Sequence, residues 1–318
     1  MAAGPRAERI YTVGRGAPMN GSPFLPAVAV VLSCAAVAAQ APASGAQSSR
    51  TVYVTVTDRN GLPVEDLAAA DFEIKEGGKT VDVVQAGITE DPLQIALIVD
   101  DNGTGLFRSP LARFVQRLEG RAVMSLSSVT GQTMKLVDYT ANVDTLLRAV
   151  ATLNARPGTP DGGQLLEGIS EAAVELRRRE AARPVIIALT VGGEEHSTVS
   201  SDQVLNQLRQ SGAILHVFSV ANSSLRATVT QTRPSALLQE NMHLGRVLGD
   251  GPKHSGGRNE EIVAATGFLM GLQNLASELT QQYRVSYNLP AGVKRSDKIT
   301  VGVKRKGLMV RAPNRVPG

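Results

Sequence analysis

The sequence predicts an α/β protein: a doubly wound, mostly parallel sheet, inserted in a small β-sandwich built from N- and C-terminal strands. Three observations lead there. Predominantly apolar runs at 94–99, 184–190 and 213–220 read as strands buried on both faces. Segments of helical period separate them, which is the alternation that covers a parallel sheet on both sides. At both ends of the chain the pattern changes to strict alternation, the sign of half-buried strands.

Taken in order, residues 24–47 come first. They run "FLPAVAVVLSCAAVAAQAPASGAQ", apolar and then small and polar. That is the layout of a secretory leader, with Ala36-Val37-Ala38 as a cleavage choice. The apolar part is short of the ~20 residues of a membrane span. Arg6, Glu8, Arg9 and Arg15 make its charged region long, so translation from Met1 or from Met19 both stay open. Val31-Leu32-Ser33-Cys34 resembles a lipobox, and membrane attachment is expected only if Cys34 is lipidated. Cys34 is the single cysteine, so a chain cleaved after it has neither disulfide nor catalytic thiol.

In "TVYVTVTD" (51–58), Val52, Val54 and Val56 face one way and Tyr53, Thr55 and Thr57 the other. "FEIKEGGKTVDVVQ" (72–85) reads as a hairpin turning at Glu76-Gly77-Gly78-Lys79. Three strands cannot bury a core alone. The same shortage recurs at "YRVSYNL" (283–289), "KITVGVK" (298–304) and "LMVRA" (308–312), so the two sets are expected to combine. The expected organisation is leader 1–47, β-sandwich 48–90 with 283–314, and α/β domain 91–282.

Within the α/β block, helices are expected at 106–118, 143–153, 164–180 and 202–212, the last closed by Gly212, with strands near 122–128 and 133–139. Leu165, Leu166, Ile169, Ala173 and Leu176 mark one buried face. Leu269, Leu272, Leu275 and Leu279 mark another. "LGDGPKHSGGRNEE" (248–261) reads as a polar, Gly-rich loop.

Composition narrows the function. Aromatics are 3% with no Trp, too few for a base-stacking groove, so no nucleic-acid partner is expected. A net charge of +4 is spread over scattered basic residues, which read as solvated faces. No Gly-x-Ser-x-Gly, His-Glu-x-x-His or P-loop occurs. His196, His216, His243 and His254 are dispersed, and His216, inside an apolar run, reads as a satisfied core histidine.

The chemistry concentrates at "LQIALIVDDNGTG" (93–105), where a buried strand runs into Asp100-Asp101-Asn102-Gly103-Thr104. This resembles the first strand and loop of the von Willebrand factor A (VWA) fold, whose metal-ion-dependent adhesion site opens with Asp-x-Ser-x-Ser. "VMSLSSVTGQTMKLVDYTANVDTLLRAVATL", "GGQLLEGISEA", "PVIIALTVGGEEHS" and "SGAILHVFSVA" are similar to its later units in order, and the tail is similar to the end of exported bacterial VWA-related proteins. The resemblance covers about residues 51–313. It implies a non-enzymatic, exported protein–protein interaction module, periplasmic or extracellular, with a protein partner. It also implies a Mg²⁺ site with Asp100, Asn102, Thr104 and Thr159 as ligands, and Asp101, Glu194 and Glu195 as neighbouring binding residues. That site is degenerate. Thr159 comes four residues early, Gly163 or Gln164 aligns where the second loop's Thr belongs, and Val191 replaces the expected Asp. Asp100-x-Asn102-x-Thr104 also resembles the opening of haloacid-dehalogenase-like metal-dependent phosphatases, but an amide at Asn102 cannot serve as acid or base. A metal-independent structural scaffold is the third reading.

Overall fold

The computed structural model describes residues 48–153, 163–221, 235–289 and 295–316. The expected leader, Cys34 and Thr159 lie outside the described residues. The strands are β1 (Ser48–Thr57), β2 (Phe72–Glu76), β3 (Lys79–Ile88), β4 (Leu93–Asp100), β5 (Ala122–Thr130), β6 (Gln132–Thr140), β7 (Arg183–Thr190), β8 (Ile214–Val220), β9 (Asn259–Ile262), β10 (Tyr283–Leu289), β11 (Ile299–Val303) and β12 (Met309–Arg311). The helices are α1 (Arg108–Arg117), α2 (Val143–Ala151), α3 (Leu165–Arg178), α4 (Ser201–Ser211), α5 (Ser235–Ser255) and α6 (Ala265–Thr280).

One sheet has the order β6-β5-β4-β7-β8-β9. All its neighbours are parallel except β6, which folds back antiparallel on β5 through Gly131 at φ 86°. This is the doubly wound order, with β4 at the point where the winding reverses. The continuous apolar runs serve two cores. Ile95, Leu97 and Val99 of β4 pack with α1, α2 and α6, whereas Ala96 and Ile98 pack with α3, α4 and α5. Local signals close the elements. Asn142 accepts from the Thr145 amide to cap α2, Ser200 accepts from Gln203 to cap α4, and Gly212 ends α4 at φ 66°.

The terminal strands pair across the sequence in one antiparallel sheet, β11-β2-β3-β10-β1-β12. This differs from the two-layer sandwich expected. The outermost strands β11 and β12 are successive in the chain, and the flanks beyond them meet, Ile299 N donating to Asn314 O and Val316 N to Asp297 O. A sheet whose ends return to each other buries one face on itself, so no second layer is needed. Val54, Ile74, Tyr283, Val285, Tyr287 and Ile299 fill that interior. The other face of β1 is covered too. Thr55 and Thr57 are buried, Thr55 Oγ1 accepts from Gln282 Nε2 at 3.2 Å, and Tyr53 packs on the α1/α6 core.

The largest departure lies at 248–261. The Gly-rich stretch is not a loop: α5 runs to Ser255, and β9 adds a sixth parallel strand beside β8. Gly251 and Gly257 mark close approach. A Cβ at Gly251 would stand 2.8 Å from Leu215 Cδ2, and one at Gly257 only 1.8 Å from the Leu215 carbonyl oxygen. On α6 the buried face is Phe268, Leu272, Leu275 and Leu279, with Phe268 rather than Leu269 at its start.

Candidate functional site

Asp100 ends the central strand β4, and the loop after it opens at the C-terminal edge of the parallel sheet. Doubly wound sheets place ligands at that edge. The loop is built from tight turns, with Asn102 at φ 47°, Gly103 at 75° and Gly105 at 67°. Asp101 holds it together. Its Oδ1 accepts from Gly103 N at 3.0 Å and its Oδ2 from Gly105 N at 3.1 Å, and its carbonyl accepts from Thr104 N. Asp101 has no exposed surface. It is therefore the loop's internal clamp and not the partner-binding residue expected. Asn102 and Thr104 are exposed, as a ligand-facing role requires.

The Asp100 carboxylate faces β7. Thr190 Oγ1 donates to its Oδ2 at 2.6 Å and itself accepts from Gly192 N at 2.8 Å, while Val191 N donates to the Asp100 carbonyl. Val191 thus contributes backbone only, and its side chain packs against the α1/α6 core. From the second loop it is Gly163 that reaches Asp100. A Cβ there would lie 3.8 Å from Asp100 Oδ1, but it would also lie 2.6 Å from Val129 Cγ1. The position that should carry a hydroxyl ligand carries no side chain, and Val129 fills the space.

Glu195 does not substitute for the missing carboxylate. It is 1% exposed. Its carboxylate accepts from Leu166 N at 3.2 Å and from the Ser197 hydroxyl, and Ser197 Oγ accepts from Glu167 N. The expected binding residue is thus spent on the free amides at the start of α3, where negative charge is favoured. Glu194 is half-buried, with His196 Nε2 3.9 Å from its carboxylate. Mg²⁺ requires near-octahedral oxygen ligation. Asp100, Asn102 and Thr104 alone do not provide it, and no group of three His, Cys, Asp or Glu side chains able to hold a metal occurs among the described residues. The described ligand set does not fit the ion that the resemblance implies.

Two clusters have no local signal in the sequence. Ser201 Oγ lies 3.0 Å from His243 Nδ1 and accepts from Arg246 Nη1 at 3.2 Å. The pair resembles a hydrolytic dyad, yet Ser201 has no exposed surface. The contact ties α5 to the start of α4. His216 is buried on β8 as expected but not satisfied: both ring nitrogens are without a partner among the described residues. Burial, with Arg311 and Arg258 nearby, holds it well below the usual imidazole range.

The order β6-β5-β4-β7-β8-β9, the single reversed strand in a β5–β6 hairpin leading to α2, and the Asp100 loop at the head of the central strand together decide the architecture. The fold is VWA-related. No family model and no curated protein matches the chain. Solved structures do. The conserved hypothetical protein BatB from Bacteroides thetaiotaomicron is 13% identical, over 59% of this chain and 98% of its own, with a TM-score of 0.43. Proximal thread matrix protein 1 from the mussel byssus, in a structure described as having a zinc-occupied MIDAS motif, is 12% identical over 63% of this chain, with a TM-score of 0.44. The match spans about half of that protein's chain, 48%. The manganese-loaded TRAP protein of Plasmodium vivax is 14% identical over 73% of this chain and 97% of its own, with a TM-score of 0.41.

The buried carboxyls of this VWA-related edge give it a pH signature. Burial pushes Asp100 up to about 6, with Thr190 opposing and Asp101 adding, and pushes Glu195 up to about 7 against the Ser197 and Leu166 hydrogen bonds. Both carboxyls take up protons in the folded chain before the unfolded one, so each adds stability as pH falls from its folded value toward the ordinary carboxylate range. His216 has the opposite sign: the unfolded chain protonates first, and stability is lost below about 6.5. Between pH 6 and 5 the folded chain therefore binds a little under one more proton net, worth about 1 kcal/mol. Urea midpoints should rise from pH 6 to 5 in the natural chain. In Asp100→Asn/Glu195→Gln they should fall instead, and an unchanged slope in that variant would refute the assignment.

Proposed function

We propose that the chain is an exported, non-enzymatic protein–protein interaction module, a VWA-related fold that presents its top loops to a protein partner over a degenerate metal site. The observation that carries this reading is the pairing of Asp100 with Gly163 and Val191. The loops keep the adhesion-site layout, while the second and third loops bring a glycine and a valine where ligands belong. Among the described residues, the exposed side chains at this edge include Asn102, Thr104 and Thr198, with Glu194 half-exposed. These are short, polar groups suited to hydrogen bonding with a protein surface. The closed Ser201–His243 pair and the amide at Asn102 both favour a binding role over hydrolysis. Export rests on the leader-like segment at 24–47.

The test removes the exposed side chains without straining the loop. Asn102→Gly/Thr104→Ala keeps the left-handed residue free of penalty. Capture of the partner from envelope extracts should be lost in this variant and unaffected by chelator in the natural chain. Titration calorimetry with Mg²⁺, Mn²⁺ or Ca²⁺ should give no heat at micromolar metal. Capture that survives the double substitution overturns the top-loop reading. Capture abolished by chelator restores a working metal site.

A further inference from the structure

The side of the molecule formed by α1 and α6 combines unmatched cations with an uncharged stripe. Arg113, Arg117 and Arg121 are all exposed and recur every four residues along α1 and the turn after it. Arg113 and Arg117 thus share a flank of the helix. That flank faces α6, because Arg117 Nη2 donates to Ser277 Oγ at 3.0 Å. None of the three has an ion-pair partner among the described residues. Several arginines on other elements carry ion pairs: Arg246 with Asp202, Arg258 and Arg311 with Glu278, Arg305 with Asp66, and Arg315 with Asp297. Helix α6 offers no counter-charge. Its single ionisable side chain, Glu278, is buried, and its outward positions Thr266, Met270, Gln273 and Asn274 are exposed and neutral. Met270 is 64% exposed. Glu119, at the end of α1, is the one carboxylate interspersed with the arginine row.

We infer that this α1/α6 face docks on an anionic phospholipid surface, with Arg113, Arg117 and Arg121 on lipid phosphates and Met270 at the level of the headgroups. The guanidinium fork matches phosphate oxygens. A row of separated cations beside a neutral stripe is matched by a surface that repeats its phosphates, whereas a single free phosphate engages one or two of them. An acidic peptide would leave the exposed thioether unused. Basic residues at such a surface add up and are screened by salt.

The experiment is vesicle co-sedimentation of the full chain, comparing phosphatidylcholine alone with phosphatidylcholine containing one-third phosphatidylglycerol. Binding should need the anionic lipid and weaken as salt rises from about 50 to about 200 mM. Arg113→Gln/Arg117→Gln/Arg121→Gln should lose about fivefold per arginine, roughly a hundredfold in all. The corresponding triple Lys variant should retain most binding, and Asn102→Gly/Thr104→Ala should bind as the natural chain does, which separates this surface from the top loops. Equal binding to neutral vesicles overturns the inference, as does full binding by the triple Gln variant. Displacement from vesicles by millimolar inorganic phosphate or by polyglutamate would overturn it too, assigning the arginines to a free anion or an acidic protein. Should the triple Gln variant not fold, the lipid and salt dependence of the natural chain decides.

Discussion

Glu278→Ala should cost about 3–5 kcal/mol of unfolding free energy, the range for removing one partner from a buried ion-pair network. Glu278 is 2% exposed on α6. One carboxylate oxygen accepts from Arg258 Nη2 and the other from Arg311 Nη2, while Arg258 also reaches Glu260. Arg311 belongs to β12 of the antiparallel sheet, and Arg258 leads into β9 of the parallel one. This single carboxylate therefore joins the two sheets. Without it, two guanidinium groups face each other beside the unpartnered His216, and their Nε atoms already lack partners among the described residues. The variant's unfolding in urea should also show weakened coupling, with the antiparallel sheet loosening first. Replacing the cation as well, in Glu278→Ala/Arg311→Met, should recover a large part of the loss, since a packed apolar pair is often no worse than a buried ion pair. A single variant that unfolds within about 1 kcal/mol of the natural chain would show that the cluster is already solvated.

The elements that were legible from the sequence are those whose physics is local. Strands β4 and β7 announce themselves because a strand buried on both faces is apolar nearly throughout, as Ile95–Val99 and Val185–Leu189 are, and β8 follows the same pattern around His216. The position of the Asp100 loop followed from that, and the loss of a carboxylate at Val191 could be read directly. What was not legible depends on approach between distant segments. The choice between Gly163 and Gln164 required knowing that Gly163 faces Asp100 across Val129. Asp101 and Glu195 looked available for binding, yet each is committed to backbone amides that only the folded loops bring near. Ser201 and His243 meet across 42 residues, and nothing in either neighbourhood foretells the contact. His216 looked like a satisfied core residue because satisfaction is a property of neighbours, and its neighbours are Arg258 and Arg311 from other elements.

The glycines of 245–257 show the same distinction in a form that mutation can read. Glycine in a polar stretch signals a loop when it serves flexibility and a packed seam when it serves approach, and the sequence does not separate the two. Gly257→Ala should destabilise by more than about 3 kcal/mol, in the range reserved for changes that the core cannot absorb. Its Cβ would meet the Leu215 carbonyl oxygen at 1.8 Å and the carbonyl carbon at 2.7 Å, and both are backbone atoms of a central strand paired to β7. The segment 255–259 would have to withdraw from β8. That movement would break the bonds from Val217 N to Arg258 O at 2.8 Å and from Leu215 N to Ser255 Oγ at 2.9 Å, and with them the seat of β9. Gly249→Ala, eight residues earlier within α5, meets nothing within 4 Å. There the loss of backbone freedom in the unfolded chain should dominate, raising stability by about 0.5–1 kcal/mol. Opposite signs for two Gly→Ala changes in one short stretch, measured by thermal unfolding, would establish that this stretch is helix and sheet seam. Two small effects of the same sign would return it to the solvated loop that its composition suggests.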